Sequence, residues 1–335
     1  MLGLFIILLL VLFLPFTIKF VEHNLEIFLF VMGLAAAIIS GVFNRELLVQ
    51  ALLDPIKITV AVIIAGLLFK WFRRLLENGI RAISNMLPFR LFIALMVIVL
   101  GLVSSFITAI IAALVLVLIV SVLTLDKKSE IRLVVIACFS IGLGAALTPI
   151  GEPLSTITIS KMHEDFYYLL QLVGPYIIPG VVLLGILAAI LVKPERGFGL
   201  SNEDNIESYD DIFVRGIKIY FFVMGLTLLG AGFEPLINEY IIGLSSHLLY
   251  WVNILSAILD NATLAAAEIS PAMSPESVKA VLLGLLVSGG MLIPGNIPNI
   301  ISAGKLNITS KEWAKEGLPI GFSILIVYFI IFLFI

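Results

Sequence analysis

The sequence comprises 335 residues, of which 61% are hydrophobic and only 13% charged, and its mean hydropathy is +1.18. No soluble globular domain carries so little charge over so much apolar sequence, and long apolar runs without alternation point to membrane-spanning helices rather than a barrel. The net charge of −3 gives no sign of a nucleic-acid partner, and one cysteine, Cys138, excludes an internal disulfide and a multi-cysteine metal site.

The amino-terminal stretch, residues 1–16, has no basic region and is apolar for longer than the hydrophobic region of a signal peptide, so a retained helix is expected. Spanning helices are expected over residues 2–18 and 25–43, which makes residues 1–54 an extra amino-terminal unit. A third span covers 55–72. Residues 73–88 interleave Arg73, Arg74, Glu77 and Arg81 with Leu75, Leu76, Ile80 and Ile83, the pattern of a helix lying in the interface.

Residues 91–125 contain no charge over 35 positions. A straight helix of that length would run roughly 52 Å. The hydrocarbon is about 30 Å thick, and two crossings would need roughly 40 residues. A re-entrant hairpin fits this length, with its tip near Ser104, Ser105 and Thr108. A long helix follows over 131–160, broken at 148–153, and then a span over 167–192. Residues 193–211 form a polar, acidic linker, expected to be cytoplasmic.

The order then recurs: a span over 212–231, an interfacial stretch over 234–247 and a second hairpin over 248–270. A helix broken at 294–299 and a closing span over 318–335 complete it. Residues 55–192 and 212–335 thus read as two repeats in an all-α polytopic membrane protein. Each repeat has three crossings and a hairpin that does not cross. Three is odd, so the second repeat must be inverted. Basic residues agree: Arg73, Arg74, Arg81 and Arg90 precede the first hairpin, and Lys127, Lys128 and Arg132 follow it. Lys305, Lys311 and Lys315 return to that side, whereas Arg45, Lys161 and Lys279 dissent.

Each break carries two prolines four residues apart. Pro149 and Pro153 flank Gly151, and Pro294 and Pro298 flank Gly295 and Asn296. A proline inside a helix removes a backbone hydrogen bond and crowds the preceding turn. In hydrocarbon such a break survives only where it is buried in protein or lines a cavity. Matching breaks in two halves of a chain point to a transporter's binding site.

Three carboxylates fall within apolar sequence: Glu152 in the first break, Asp260 at the second hairpin tip and Glu268 eight residues further on. A membrane carboxylate marks an ion or proton path by default. The plainer reading of Glu152 and Asp260 is a hydrogen-bonded pair that pins two helix breaks, and that of Glu268 is an interfacial residue. Around them lie Ser104, Ser105, Thr108, Thr148, Ser155, Thr156, Asn261, Thr263, Asn296 and Asn299. Any one of these could simply bond a local carbonyl, but together they cluster at four discontinuities. Gly142, Gly144, Gly289 and Gly290 read as close-packing positions. His23, His163 and His247 read as surface residues, and Trp71, Tyr167, Tyr168 and Trp313 as interface anchors. No HExxH, GxSxG or P-loop occurs, so the reading is not an enzyme and requires no cofactor beyond transported Na⁺ and H⁺.

The run Gly144-Ala145-Ala146-Leu147-Thr148-Pro149-Ile150-Gly151-Glu152, followed by Ser155-Thr156, resembles the break motif of NhaD-type sodium/proton antiporters of the ion transporter superfamily. Ser256-Ala257-Ile258-Leu259-Asp260-Asn261-Ala262-Thr263 resembles their hairpin motif. The chain is also similar to an uncharacterised prokaryotic family described as cation transporters. The resemblance implies two inverted repeats with re-entrant hairpins, a homodimer in a prokaryotic plasma membrane and elevator-type alternating access. It assigns Na⁺ and proton binding to Asp260 and Glu152 with the polar residues named above. One departure stands out: Ser105-Phe106-Ile107-Thr108 replaces the Asp-Asn of the antiporters in the first hairpin. The function expected is cation/proton antiport, Na⁺ being the favoured cation. The alternatives are a Na⁺-coupled symporter of a small anion or dicarboxylate and, behind it, a membrane-embedded enzyme.

Overall fold

The computed structural model describes residues 2–194, 209–240 and 244–334, and among them every regular element is helical. Among the described residues, five stretches are long and apolar enough to cross a membrane: Arg45–Ile64, Phe89–Ile107, Gly174–Leu191, Tyr209–Leu236 and Ser310–Leu333. The chain is an α-helical, membrane-embedded protein.

Helices α1 (Leu2–Thr17), α2 (Lys19–His23) and α3 (Leu25–Ile39) open the chain, followed by α4 (Arg45–Met86). The expected span over 55–72 and interfacial helix over 73–88 are one element with α4, a 42-residue helix that runs through Pro55. The boundary expected at 54/55 therefore lies inside a helix. The same happens later, where α11 (Tyr209–Tyr240) joins the expected span over 212–231 to residues 234–240 and passes through Pro235. Proline is tolerated in membrane helices because neighbouring groups re-satisfy the freed carbonyl. Residues 195–208 of the expected linker lie outside the described residues.

Helix α11 packs on α3 and α4 through small residues. A Cβ on Gly33 would meet Gly225 O at 2.5 Å, and one on Gly225 would meet Phe30 N at 2.6 Å. Gly216 lies against Ile63, and Gly66 against Ile212. Close approach of backbones through glycine is the usual route to helix association where no hydrophobic drive separates helix from lipid.

Helices α5 (Phe89–Ile107) and α6 (Ala109–Leu123) meet at Thr108, and α7 (Lys127–Ala145) follows. Four hydrogen bonds run in step along α5 and α7: Ser140 Oγ to Val97 O (2.9 Å), Ser104 Oγ to Ile141 O (3.0 Å), Thr148 Oγ1 to Ser105 O (2.6 Å) and Ala109 N to Gly151 O (2.9 Å). The two helices are therefore parallel. Since α7 begins at the end where α5 begins, α6 must run back along α5, and the pair is a hairpin whose tip lies level with the end of α7. By length and composition α5 alone could cross a membrane, whereas α6 is shorter.

After α7 the chain is non-helical over residues 146–152, and α8 (Pro153–Met162), α9 (Tyr168–Leu172) and α10 (Gly174–Leu191) follow. Helix α10 returns along α7, with Gly174 beside Leu147 and Leu191 O accepting from Arg132 Nη1. The second hairpin is built from α12 (Ser246–Val252), a 3₁₀ turn (Asn253–Ala257) and α13 (Asn261–Glu268). Helix α14 (Pro275–Gly289) leads into residues 290–296, then α15 (Ile297–Leu306) and α16 (Ser310–Leu333).

The two breaks match in detail. Each is seven residues long and each is followed by a ten-residue helix. Glu152 and Asn296 precede those helices with φ −154° in both cases, and His163 and Asn307 close them in the left-handed region at φ 55° and 52°. Gly151 packs on the carbonyl of Ala145, and Gly295 on that of Gly289. Helices α7 and α14 form the buried centre. They run in opposite directions: α16 is parallel to α7, since Lys127 meets Glu312 and Arg132 meets Glu316, whereas α14 is antiparallel to α16, since Gly284 lies on Tyr250, whose hydroxyl donates to Leu325 O, while Gly290 O accepts from Trp313.

Charge gathers at one end of this centre. Arg132 pairs in bidentate fashion with Glu316 (2.8 and 3.0 Å), and Lys127 pairs with Glu312. At the same end Asp126 caps α7; hydrogen bonds from Ser129 and the amide of Lys128 hold its carboxyl below the ordinary value. Trp313, expected as an interface anchor, is instead fully buried, and its indole donates to Gly290 O at the second break (3.2 Å). His163 and His247 are exposed, as expected.

Candidate functional site

The hairpins and breaks meet through four short helices arranged in two pairs. Helix α13 lies beside α8, with the acidic residues Glu152 and Asp260 facing each other at their starts and Lys161 bonded to Ala266 O near their ends. The two helices are thus parallel, and their amino-termini converge. Helix α6 lies beside α15 through Ala113, Leu114 and Ile301, with Ile110 and Ile297 packed alongside. Its amino-terminus is Thr108, and that of α15 is Asn296.

Helix amino-termini carry unsatisfied N–H groups and partial positive charge. In the first pair two carboxylates meet that charge. Asp260 is the N-cap of α13: its Oδ2 accepts from Thr263 N (3.1 Å) and Thr263 Oγ1 (3.2 Å). Glu152 occupies the N-cap position of α8 but makes no capping bond, and it lies close to Asp260 and Asn261. It is 5% exposed, and its Oε1 has no partner. Ser155 Oγ, one turn into α8, and Asn261 Nδ2 are likewise buried and unpartnered. Unsatisfied buried polar atoms are costly and call for a ligand, ion or water. Glu152, Asp260, Asn261, Thr263 and Ser155 thus form one constellation. Among the described residues no three His, Cys, Asp or Glu side chains cluster as a metal site.

The second pair is neutral. Asn296 is 3% exposed and faces Gly142 of α7, where a Cβ would meet its Nδ2 at 2.6 Å. Thr108 accepts from Ile111 N at 3.5 Å, with φ at 76°. A β-branched residue in that region is strained, and such strain concentrates at functional turns.

The remaining expected residues hold the scaffold. Ser104 and Ser105 donate to carbonyls of their own helix, Thr148 ties the first break to Ser105 O, and Thr156 bonds Pro149 O (2.6 Å). Asn299 donates to Gly289 O (2.7 Å) and Leu292 O (2.9 Å), stapling the second break. Pro153 and Pro298 start the short helices at the first two positions, where a missing N–H costs nothing. Gly142, Gly144, Gly289 and Gly290 are close-packing positions, as expected.

Glu268 is not an interfacial residue: it is 5% exposed and accepts from Asn253 Nδ2 (2.9 Å). Asn253 was not legible as its partner, because fifteen residues and a 3₁₀ turn separate them. Glu130 is also fully buried; its Oε1 accepts from Leu125 N (3.1 Å) to close the turn between α6 and α7. Its neighbours Lys127, Lys128 and Arg132 entered the sequence reading only as basic residues that set the side of the first hairpin.

Residues 1–335, the whole chain, match the family described as protein of unknown function (DUF1646). The chain belongs to this family. Its description names no activity, and no curated protein matches the chain.

Proposed function

We propose that the protein is a secondary active transporter that exchanges a monovalent cation, Na⁺ in the first instance, for protons across a cell membrane. The observation that carries this reading is the meeting of Glu152 and Asp260 at two converging helix starts, one in a break and one at a hairpin tip. Protons and the cation compete for the same two carboxylates, which couples their movements.

Two inverted repeats with re-entrant hairpins belong to the same proposal. It is supported by the opposite directions of α7 and α14, the matched breaks and the exchange of partners that pairs α8 with α13 and α6 with α15. A homodimer with elevator-type movement completes the proposed cycle. The topology has a direct check. In a Cys138→Ala background, Lys128→Cys and Ser274→Cys, both at exposed positions, are expected to react with an impermeant thiol reagent from opposite faces, Lys128→Cys from the cytoplasm. Labelling of both from one face would refute the inversion.

Cation binding is tested on purified protein. Na⁺ is expected to raise the melting temperature, by the equivalent of about 2.7 kcal/mol at a hundred times its Kd, and to do so more strongly at higher pH. Glu152→Gln is expected to weaken this stabilisation and flatten its pH dependence, since one competing carboxylate remains. A Na⁺ response identical in wild type and Glu152→Gln would remove Glu152 from the site.

One observation favours a second reading. The pair formed by α6 and α15 presents two helix starts with no carboxylate, and Asn296 makes no capping bond. Such a place suits an anion, so a Na⁺-coupled carrier of a small anion is the competing function.

A further inference from the structure

The hairpin helix α13, which starts at Asp260, carries a buried carboxylate at its far end. Glu268 lies eight residues past Asp260, so the two are separated by about 12 Å along the helix. Its Oε2 accepts from Asn253 Nδ2 at 2.9 Å, and Asn253 Nδ2 also donates to Leu249 O at 3.0 Å. The amide is thereby oriented, and its donors are spent. Glu268 Oε1 and Asn253 Oδ1 remain buried without a partner. Both are acceptors. A buried pair of unmatched acceptors is satisfied by adding a proton or a cation, not by further packing.

Position says what this carboxylate can serve. Beyond Ile269 the chain emerges at Ser270, Pro271 and Ala272, all exposed. Glu268 therefore stands between the Glu152–Asp260 pair and an exposed loop, at the end of α13 opposite the pair. Charged neighbours are few. Lys161 of α8 bonds Ala266 O, two residues before Glu268. On α14, Lys279 reaches Tyr176 Oη (3.3 Å) and Glu276 is exposed. On α11, Glu234 and Glu239 are exposed. His247 of α12 is exposed too, and α12 and the 3₁₀ turn contribute no carboxylate or ammonium.

We infer that Glu268, oriented by Asn253, is a proton-binding station that passes protons between the exposed 270–272 loop and the Glu152–Asp260 pair. This rests on the exchange function proposed above. The station takes up a proton on Glu268 from water at the loop and releases it to water on the Asp260 side, since about 12 Å along the helix is too far for direct transfer, and no bond other than O–H forms or breaks. Asn253 is a positioning residue.

Two measurements separate this inference from the reading it rests on. The first is infrared spectroscopy of the purified full-length protein over a pH series, with Glu268→Gln as the reference. The wild type is expected to show a protonated-carboxyl band that titrates and is absent from Glu268→Gln, whether or not the protein exchanges Na⁺. An unchanged spectrum overturns the station. The second is Na⁺-driven proton flux in proteoliposomes, read beside Na⁺-induced thermal stabilisation. Glu268→Gln is expected to slow flux at least tenfold while keeping the Na⁺ stabilisation. Glu268→Asp restores part of the flux, and Asn253→Ala shifts the pH at half-maximal flux. Wild-type flux in Glu268→Gln, or loss of its Na⁺ stabilisation, overturns the inference. The latter would make Glu268 part of the cation site itself.

Discussion

Asp260→Asn is expected to reduce cation-driven proton flux by a factor of a hundred or more while the protein remains folded. The two consequences separate because of where Asp260 stands. As the N-cap of α13 it accepts from Thr263 N and Thr263 Oγ1, and asparagine is an equally good N-cap. The cap survives, so melting temperature should move by no more than a few degrees. What disappears is the ionisable charge facing Glu152. If the pair were only a structural pin for two helix breaks, the same substitution would lower stability and leave transport per folded molecule unchanged. Transport and melting temperature measured on one preparation decide between these outcomes.

Gly144→Ala is expected to be among the most damaging single-methyl additions in the chain. A Cβ at Gly144 would overlap the carbonyl group of Gly101, backbone against backbone, where α7 meets α5. No rotamer change relieves that overlap. Inserting volume into a packed core commonly costs 1–3 kcal/mol and occasionally more, and with neither backbone free to move a loss of about 3 kcal/mol is expected. Since α5 is the first arm of the hairpin whose tip bonds Gly151, the break would be displaced as well. Gly304→Ala is the matched control. It lies in α15 with nothing within 4 Å of an added methyl, and should be neutral or stabilising by up to about 1 kcal/mol. Thermal unfolding of both variants in detergent checks the contrast; equal melting temperatures would show that the α5–α7 seam yields.

Much of this arrangement could be read from the residues, for identifiable reasons. The proline pairs at 149/153 and 294/298 mark the breaks because proline cannot continue a helix without loss. The fold-back of α6 on α5 was legible in the length of the uncharged run, and its turn at Thr108 lies among the polar residues singled out. Asp260 and Glu152 stand out because charge is rare in such sequence. Other features escaped because tertiary packing overrode local signals. Boundaries were read at Pro55 and between 231 and 234, yet α4 and α11 continue through them. Trp313 has the composition of an interface anchor, but its indole finds Gly290 O inside the protein. The hydroxyls of Ser104, Ser105, Thr148 and Thr156 bond backbone carbonyls, a role that no single-sequence pattern separates from ligand contact. The positive φ of Thr108 runs against the preference of a β-branched residue, so nothing local announced it.

The central claim, coupled exchange at the Glu152–Asp260 pair, is met most directly by wild-type protein in proteoliposomes carrying a pH-sensitive dye. An inward Na⁺ gradient, with no organic anion present, is expected to drive protons outward and alkalinise the lumen, and Asp260→Asn vesicles are expected to show no such change. Alkalinisation that requires a dicarboxylate, or that persists undiminished in Asp260→Asn, would contradict the account.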